Sequence, residues 1–139
     1  MSIDGLDDAT IRRILADTRR IAVVGASPRS VRPSNGVLHF LVQRGYEVTG
    51  VNPGIAGGSL HGRPVVARLD EAAPLDMVDV FRNSRHVGPV VDEAIRLNAK
   101  TIWMQLGVID EDAAARAREQ GITVVMDRCP VIEVRRLGL

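Results

Sequence analysis

Cysteine occurs once in this chain, at Cys129, so no disulfide can form within it. A lone thiol suits a reducing compartment. Aromatics are equally sparse: two Phe, one Tyr and one Trp in 139 residues. That is too few for the stacked platforms that hold single-stranded nucleic acid. Charge of one sign is missing too, because 18 Lys and Arg face 17 Asp and Glu, for a net charge of +1. Such a balance gives no bulk attraction to nucleic acid or to an anionic membrane. No apolar run approaches membrane length, and "MSIDGLDDATIRRILADTRR" is too polar for a signal peptide. A cytoplasmic protein with no nucleic-acid and no membrane partner is expected. His39, His61 and His86 lie far apart, and no Cys or carboxylate pattern completes a metal set, so no metal site is expected. No nucleophile, base and orienting group fall into a recognisable set either.

What is present is an ordinary globular composition, 45% hydrophobic and 25% charged, of a length that suits one domain over residues 1–139. An N-terminal helix is expected over about 7–19, with Asp7 or Asp8 as its cap. "RIAVVGA", "YEVTGVN", "MVDVFR", "KTIWMQ" and "ITVVM" read as strands. Helices are expected over "SNGVLHFLVQRG", with Ser34 or Asn35 as cap, then "RHVGPVVDEAIRLN" and "DEDAAARAREQG". "PGIAGGSLHGRP" reads as a loop, "PVVARLDEAAP" as a short extended piece with a helical turn, and the tail as closing with a helical turn. The strands are apolar throughout rather than alternating, as strands covered on both faces are. The expected fold is therefore α/β: a Rossmann-like, doubly wound, five-stranded parallel sheet with helices on both faces.

Ligands of such sheets sit beyond the carboxyl ends of the strands, at a topological switch point. Here those ends read Gly25–Ala26–Ser27, Asn52–Pro53–Gly54, Arg82–Asn83–Ser84, Gln105–Leu106–Gly107 and Asp127–Arg128–Cys129. The first loop, "GASPRSVRPSNG", lacks the three close glycines of a dinucleotide fingerprint. It carries Arg29 and Arg32 instead, and leads to a helix start at Ser34, Asn35 and Gly36 whose free N–H groups suit a phosphate. The second strand ends in Asn52, where an NAD site wants an acid for the ribose hydroxyls. Cys129 follows Arg128, and a neighbouring cation lowers a thiol pKa. Asp79 stands inside an apolar strand and needs a hydrogen-bond partner or an edge.

The motifs "VVGASPRSVRPSNGV", "GYEVTGVNPG", "VDVFR", "WMQLGV" and "VVMDRCP" together resemble the small stand-alone CoA-binding proteins. These are similar to the CoA-binding domain of the succinyl-CoA synthetase alpha subunit. The resemblance covers about residues 10–137 and implies a Rossmann-like core over about 20–137 that binds coenzyme A or an acyl-CoA without a common reaction. It implies a diphosphate at Gly25, Ala26 and Ser27, near a switch point expected between the first and fourth strands. Asn52 and Pro53 would lie beside the adenosine; Arg82 and the turn from Gln105 to Gly107 would line the pantetheine arm. Where the synthetase carries a lysine after its second strand, this chain has Ile55 or Ala56, and Arg29, Arg32 or Arg63 would substitute. The synthetase's phosphorylated histidine belongs to another domain, so these histidines inherit no such role. Two alternatives stand beside this reading: an enzyme acting on an acyl-CoA or nucleotide-linked substrate through Cys129 or Asp127, and an NAD(P)-responsive module.

Overall fold

The computed structural model describes residues 2–139. It is a parallel-dominated sheet flanked by helices, and its core lies on both faces of that sheet. The first helix, α1 (Asp8–Asp17), begins where Asp7 accepts from the Thr10 N–H at 2.9 Å. It buries Ile11, Ile14 and Leu15. Strand β1 (Arg20–Val24) leads through the Gly25 loop to α2 (Pro33–Gln43). That helix starts one residue earlier than Ser34 because Pro33 has a φ already set for a first helical position. Arg32 is the cap residue, and Ser34 and Asn35 are buried inside the first turn rather than capping it.

Strand β2 (Glu47–Val51) follows, and after it comes the largest departure from expectation. The glycine-rich segment read as a loop holds a 3₁₀ turn at Pro53–Ile55 and a two-residue strand, β3 (Ser59–Leu60). Left-handed His61 and Gly62 form the turn, and β3 pairs antiparallel with β4 (Arg63–Val66). β4 itself adds in parallel to β2. The sheet therefore has seven strands, not five. Beyond it lie β5 (Met77–Val80), α3 (Val87–Arg96), β6 (Thr101–Met104), α4 (Glu111–Glu119), β7 (Thr123–Val125) and α5 (Pro130–Arg136). A 3₁₀ turn at Ser84–His86 precedes α3, and Pro89 sits in the helix's first turn, where its missing N–H costs nothing.

The strand order is β3-β4-β2-β1-β5-β6-β7. Counted over the parallel strands alone, this is the doubly wound order of a Rossmann sheet. The switch point falls between β1 and β5. β5 is the third of the strands read from the sequence, not the fourth, because the expected set omitted β4. One face packs Val78, Val80, Ile102 and Met104 against α3 and α4. The other packs Val23, Met77 and Trp103 against α1, α2 and α5. No helix is long and apolar enough to cross a membrane among the described residues.

Candidate functional site

The carboxyl end of β1 meets the carboxyl end of β5 at Gly25. Its φ is +91°, and a Cβ there would stand 2.6 Å from the Phe81 carbonyl oxygen. Glycine is thus required both for the backbone turn and for the close approach. The Gly25 N–H donates to Val51 O, so the loop is pinned to β2 as it leaves the sheet. Two asparagines hold it from the sides. Asn52 donates from Nδ2 to Ala26 O at 2.8 Å and accepts on Oδ1 from the Gly54 N–H at 2.8 Å. Asn35 donates to Ser27 O at 2.8 Å and shares its Oδ1 with His61 Nε2 at 3.0 Å. His61 in turn stacks on His39 at a ring separation of 4.1 Å. Both asparagine side chains are therefore engaged in shaping the loop.

Two clefts open on either side of this junction. The first, about 420 Å³, lies on the α3 side and is lined by Val51, Pro53, Arg68, Leu69, His86 and Val90, among others. The second, about 600 Å³, lies on the α2 side, with Ser27, Arg32, Ser34, Gln105, Leu106 and Cys129 in its walls. Gly25, Asn52 and Arg82 belong to both. The clefts thus meet at the switch point, where the chain leaves β1 for α2 on one face and β5 for α3 on the other.

Most residues singled out from the sequence come together here: Gly25, Ala26, Ser27, Arg32, Ser34, Asn52, Pro53, Arg82, Gln105 and Cys129 line one cleft or both. Arg32 and Arg82 are exposed, and their side chains make no hydrogen bond or ion pair among the described residues. Arg29 lies farther out in the loop and lines neither cleft. Gly36 and Gly107 also lie outside the cleft walls, Gly107 in a turn whose N–H donates to Asp127 at 2.7 Å. Arg63, a possible substitute cation, donates instead to Val48 O at 2.6 Å along the β2 edge.

Arg128 does not reach the clefts. Its guanidinium donates to both Asp4 carboxylate oxygens at 2.8 and 2.9 Å, to Leu6 O at 3.0 Å and to Glu133. Burial alone would raise the Asp4 pKa, but Arg128 and the Leu6 and Met126 N–H groups outweigh it and bring the carboxyl down to about 2. The expectation that Arg128 activates Cys129 fails for the same reason, since its charge is spent on two carboxylates. The Cys129 thiol is buried, and burial pushes its pKa up. It is a wall of the second cleft, not a poised thiolate.

Sequence reasoning missed Arg68 and His86 in the first cleft. Arg68 was within reach, because it follows the extended piece "RPVV", whose carboxyl end could have been read like the others. Asp79 proves to be fully buried in the middle of the sheet, between Val23 and Trp103, rather than at an edge. Its Oδ1 accepts from Gln105 Nε2 at 2.8 Å, and its Oδ2 has no partner. Burial, only partly offset by the Gln105 hydrogen bond, pushes its pKa up to about 7.

The arrangement has known relatives. An uncharacterized protein of Bacillus subtilis, YneT, is 39% identical over 122 residues, which is 87% of this chain and 89% of that protein. A hypothetical protein from Pyrococcus horikoshii superposes with a TM-score of 0.93 at 35% identity, covering 100% of this chain and 97% of the other. A Thermus thermophilus structure gives a TM-score of 0.89 at 34% identity, over 95% of this chain and 99% of the other. Residues 19–135, spanning both clefts and every parallel strand, match the family model described as a CoA binding domain, and the chain belongs to that family.

Proposed function

We propose that this protein binds coenzyme A or an acyl-CoA across the two clefts and catalyses no reaction on it. The observation that carries this reading is the junction at Gly25, Asn52 and Arg82, where two clefts on opposite faces of the sheet share one point. Coenzyme A has the matching form: a nucleotide and a pantetheine arm joined by a diphosphate. The diphosphate would lie on the backbone of Gly25, Ala26 and Ser27, against the first turn of α2, which no side chain caps. Arg32 and Arg82 would supply cations. The first cleft, with Pro53, Leu69 and Val90, suits the adenosine; the second, with Gln105, Leu106 and Cys129, suits the arm. Two groups at the second cleft are not set up for chemistry: Cys129 is held as the thiol, and Asp79 is sealed below the surface.

The arginines test this reading. Arg32→Ala and Arg82→Ala should each weaken CoA by about 1.5–3 kcal/mol, the range for hydrogen bonds to charged groups. Arg29→Ala should cost less, because Arg29 lines neither cleft. Melting temperatures without ligand should stay within a degree or two of wild type, since exposed, unpaired side chains add little to stability. Isothermal titration of the three variants measures this. Wild-type affinity in both Arg32→Ala and Arg82→Ala would remove the cations from the site.

A further inference from the structure

Gln105 is buried, with 5% of its surface exposed, yet it lines the second cleft. Its Nε2 is committed to Asp79 Oδ1. Its Oε1 accepts from no donor among the described residues and is not one of the sealed-off orphan oxygens, so it opens to the cleft. Beneath it, Asp79 Oδ2 is both fully buried and unpartnered. An amide can present either its oxygen or its NH₂ to a ligand. Which one it presents here depends on what Asp79 allows.

We propose that Asp79 and Gln105 form a selector that reads the end of the ligand's arm, distinguishing a free thiol from an acyl thioester. The proposal rests on the CoA reading above and names the specificity of that same site. When Asp79 is ionised it can only accept, so Gln105 must donate to it and offers its oxygen to the cleft. That oxygen suits an S–H donor. When Asp79 carries a proton, its O–H can donate to the amide oxygen. Gln105 then turns its NH₂ to the cleft, which suits a thioester carbonyl. The ligand undergoes no covalent change; the Asp79 O–H bond breaks or forms as one proton passes to or from solvent.

The surroundings permit this. Val23 of β1 and Trp103 of β6 flank Asp79 in the sheet, and α2 covers this face with Val37, Leu38 and Leu41. No cation among the described residues offsets its charge. From the segment before α5, Cys129 is the titratable group that feels it, and Glu133 beyond is tied to Arg128 and Arg136. The proton equilibrium of Asp79 therefore falls near neutral pH, at about 7.

The test is the ratio of CoA to acetyl-CoA affinity, measured by calorimetry on the full chain from pH 6 to 8. The ratio cancels titration of the phosphates, which both ligands share. It should rise about fivefold with pH in the wild type, the worth of roughly one hydrogen bond. In Asp79→Asn, whose amide can donate or accept at any pH, the ratio should be flat. Gln105→Leu, which removes the reader and leaves Asp79 in place, should also flatten it. A flat ratio in the wild type, with both ligands bound, overturns the selector and leaves the CoA site standing. So does a slope that persists in either variant. Binding of neither ligand at any pH overturns both.

Discussion

Arg128→Ala should cost the protein about 3–5 kcal/mol of stability, the usual penalty for removing one partner of a buried ion pair. The Arg128 side chain is 11% exposed, and the side chains it neutralises, Asp4 and Glu133, are 0% and 7% exposed. Without the guanidinium, buried Asp4 loses its only cationic partner among the described residues and Glu133 keeps Arg136 alone, where water cannot replace the loss. The network also ties the two ends of the chain together, since Asp4 accepts from the Met126 N–H at the end of β7. Arg136 is the control: it pairs with Asp8 and Glu133, but its side chain is 42% exposed. Arg136→Ala should therefore cost under about 1 kcal/mol, as surface pairs do. Urea denaturation midpoints of the two variants decide the matter. Equal small losses would mean that the Arg128 network is no more than a surface pair.

Asp79→Asn should have the opposite sign, and its size should depend on pH. The carboxyl has a pKa near 7 in the folded protein against 3.8 for the free group. The folded state therefore holds the proton more tightly than the unfolded chain does. Below about pH 4 both states are protonated and Asp79 costs nothing. As pH rises the unfolded chain releases its proton first, so stability falls until the folded group also ionises near pH 7, after which the loss is constant. At 1.36 kcal/mol per pKa unit the full loss is up to about 4 kcal/mol. Asparagine keeps the acceptor for Gln105 and never ionises. The variant should then be more stable than wild type at pH 8 by about 2–4 kcal/mol, with the gap closing toward pH 4. Denaturation curves across that range measure it, and a gap independent of pH would show that Asp79 titrates in the fold as it does in the unfolded chain.

These two residues also mark what can be read from a sequence of this kind. The β–α alternation was legible because each strand is a short apolar run closed by a turn residue, and each helix repeats its apolar positions every three or four residues. The rim was legible because it follows from strand ends alone. β3 was not, because a strand of two residues is too short to show any alternation. Its pairing follows instead from the turn at His61 and Gly62. An acid inside "MVDV" announces that a partner is needed, but Gln105 lies 26 residues further on, and only the β5–β6 register brings it close. The Asp4–Arg128 pair spans 124 positions. No local pattern could show that Arg128 turns toward the N-terminal segment rather than toward the thiol beside it. Local chemistry thus exposed the backbone of the site, while the commitments of its charged side chains were set by contacts far away in the chain.

The central claim is that the junction at Gly25, Asn52 and Arg82 accepts coenzyme A rather than a nicotinamide dinucleotide. Asn52 spends its side chain on Ala26 O and the Gly54 N–H, so β2 ends without the free acid that would hold an NAD ribose. Titration calorimetry of the full chain with CoA, ADP and NAD tests this most directly. CoA should bind more tightly than NAD, with ADP retaining part of the CoA affinity through the diphosphate contacts. NAD binding as tight as that of CoA, or tighter, would contradict the account.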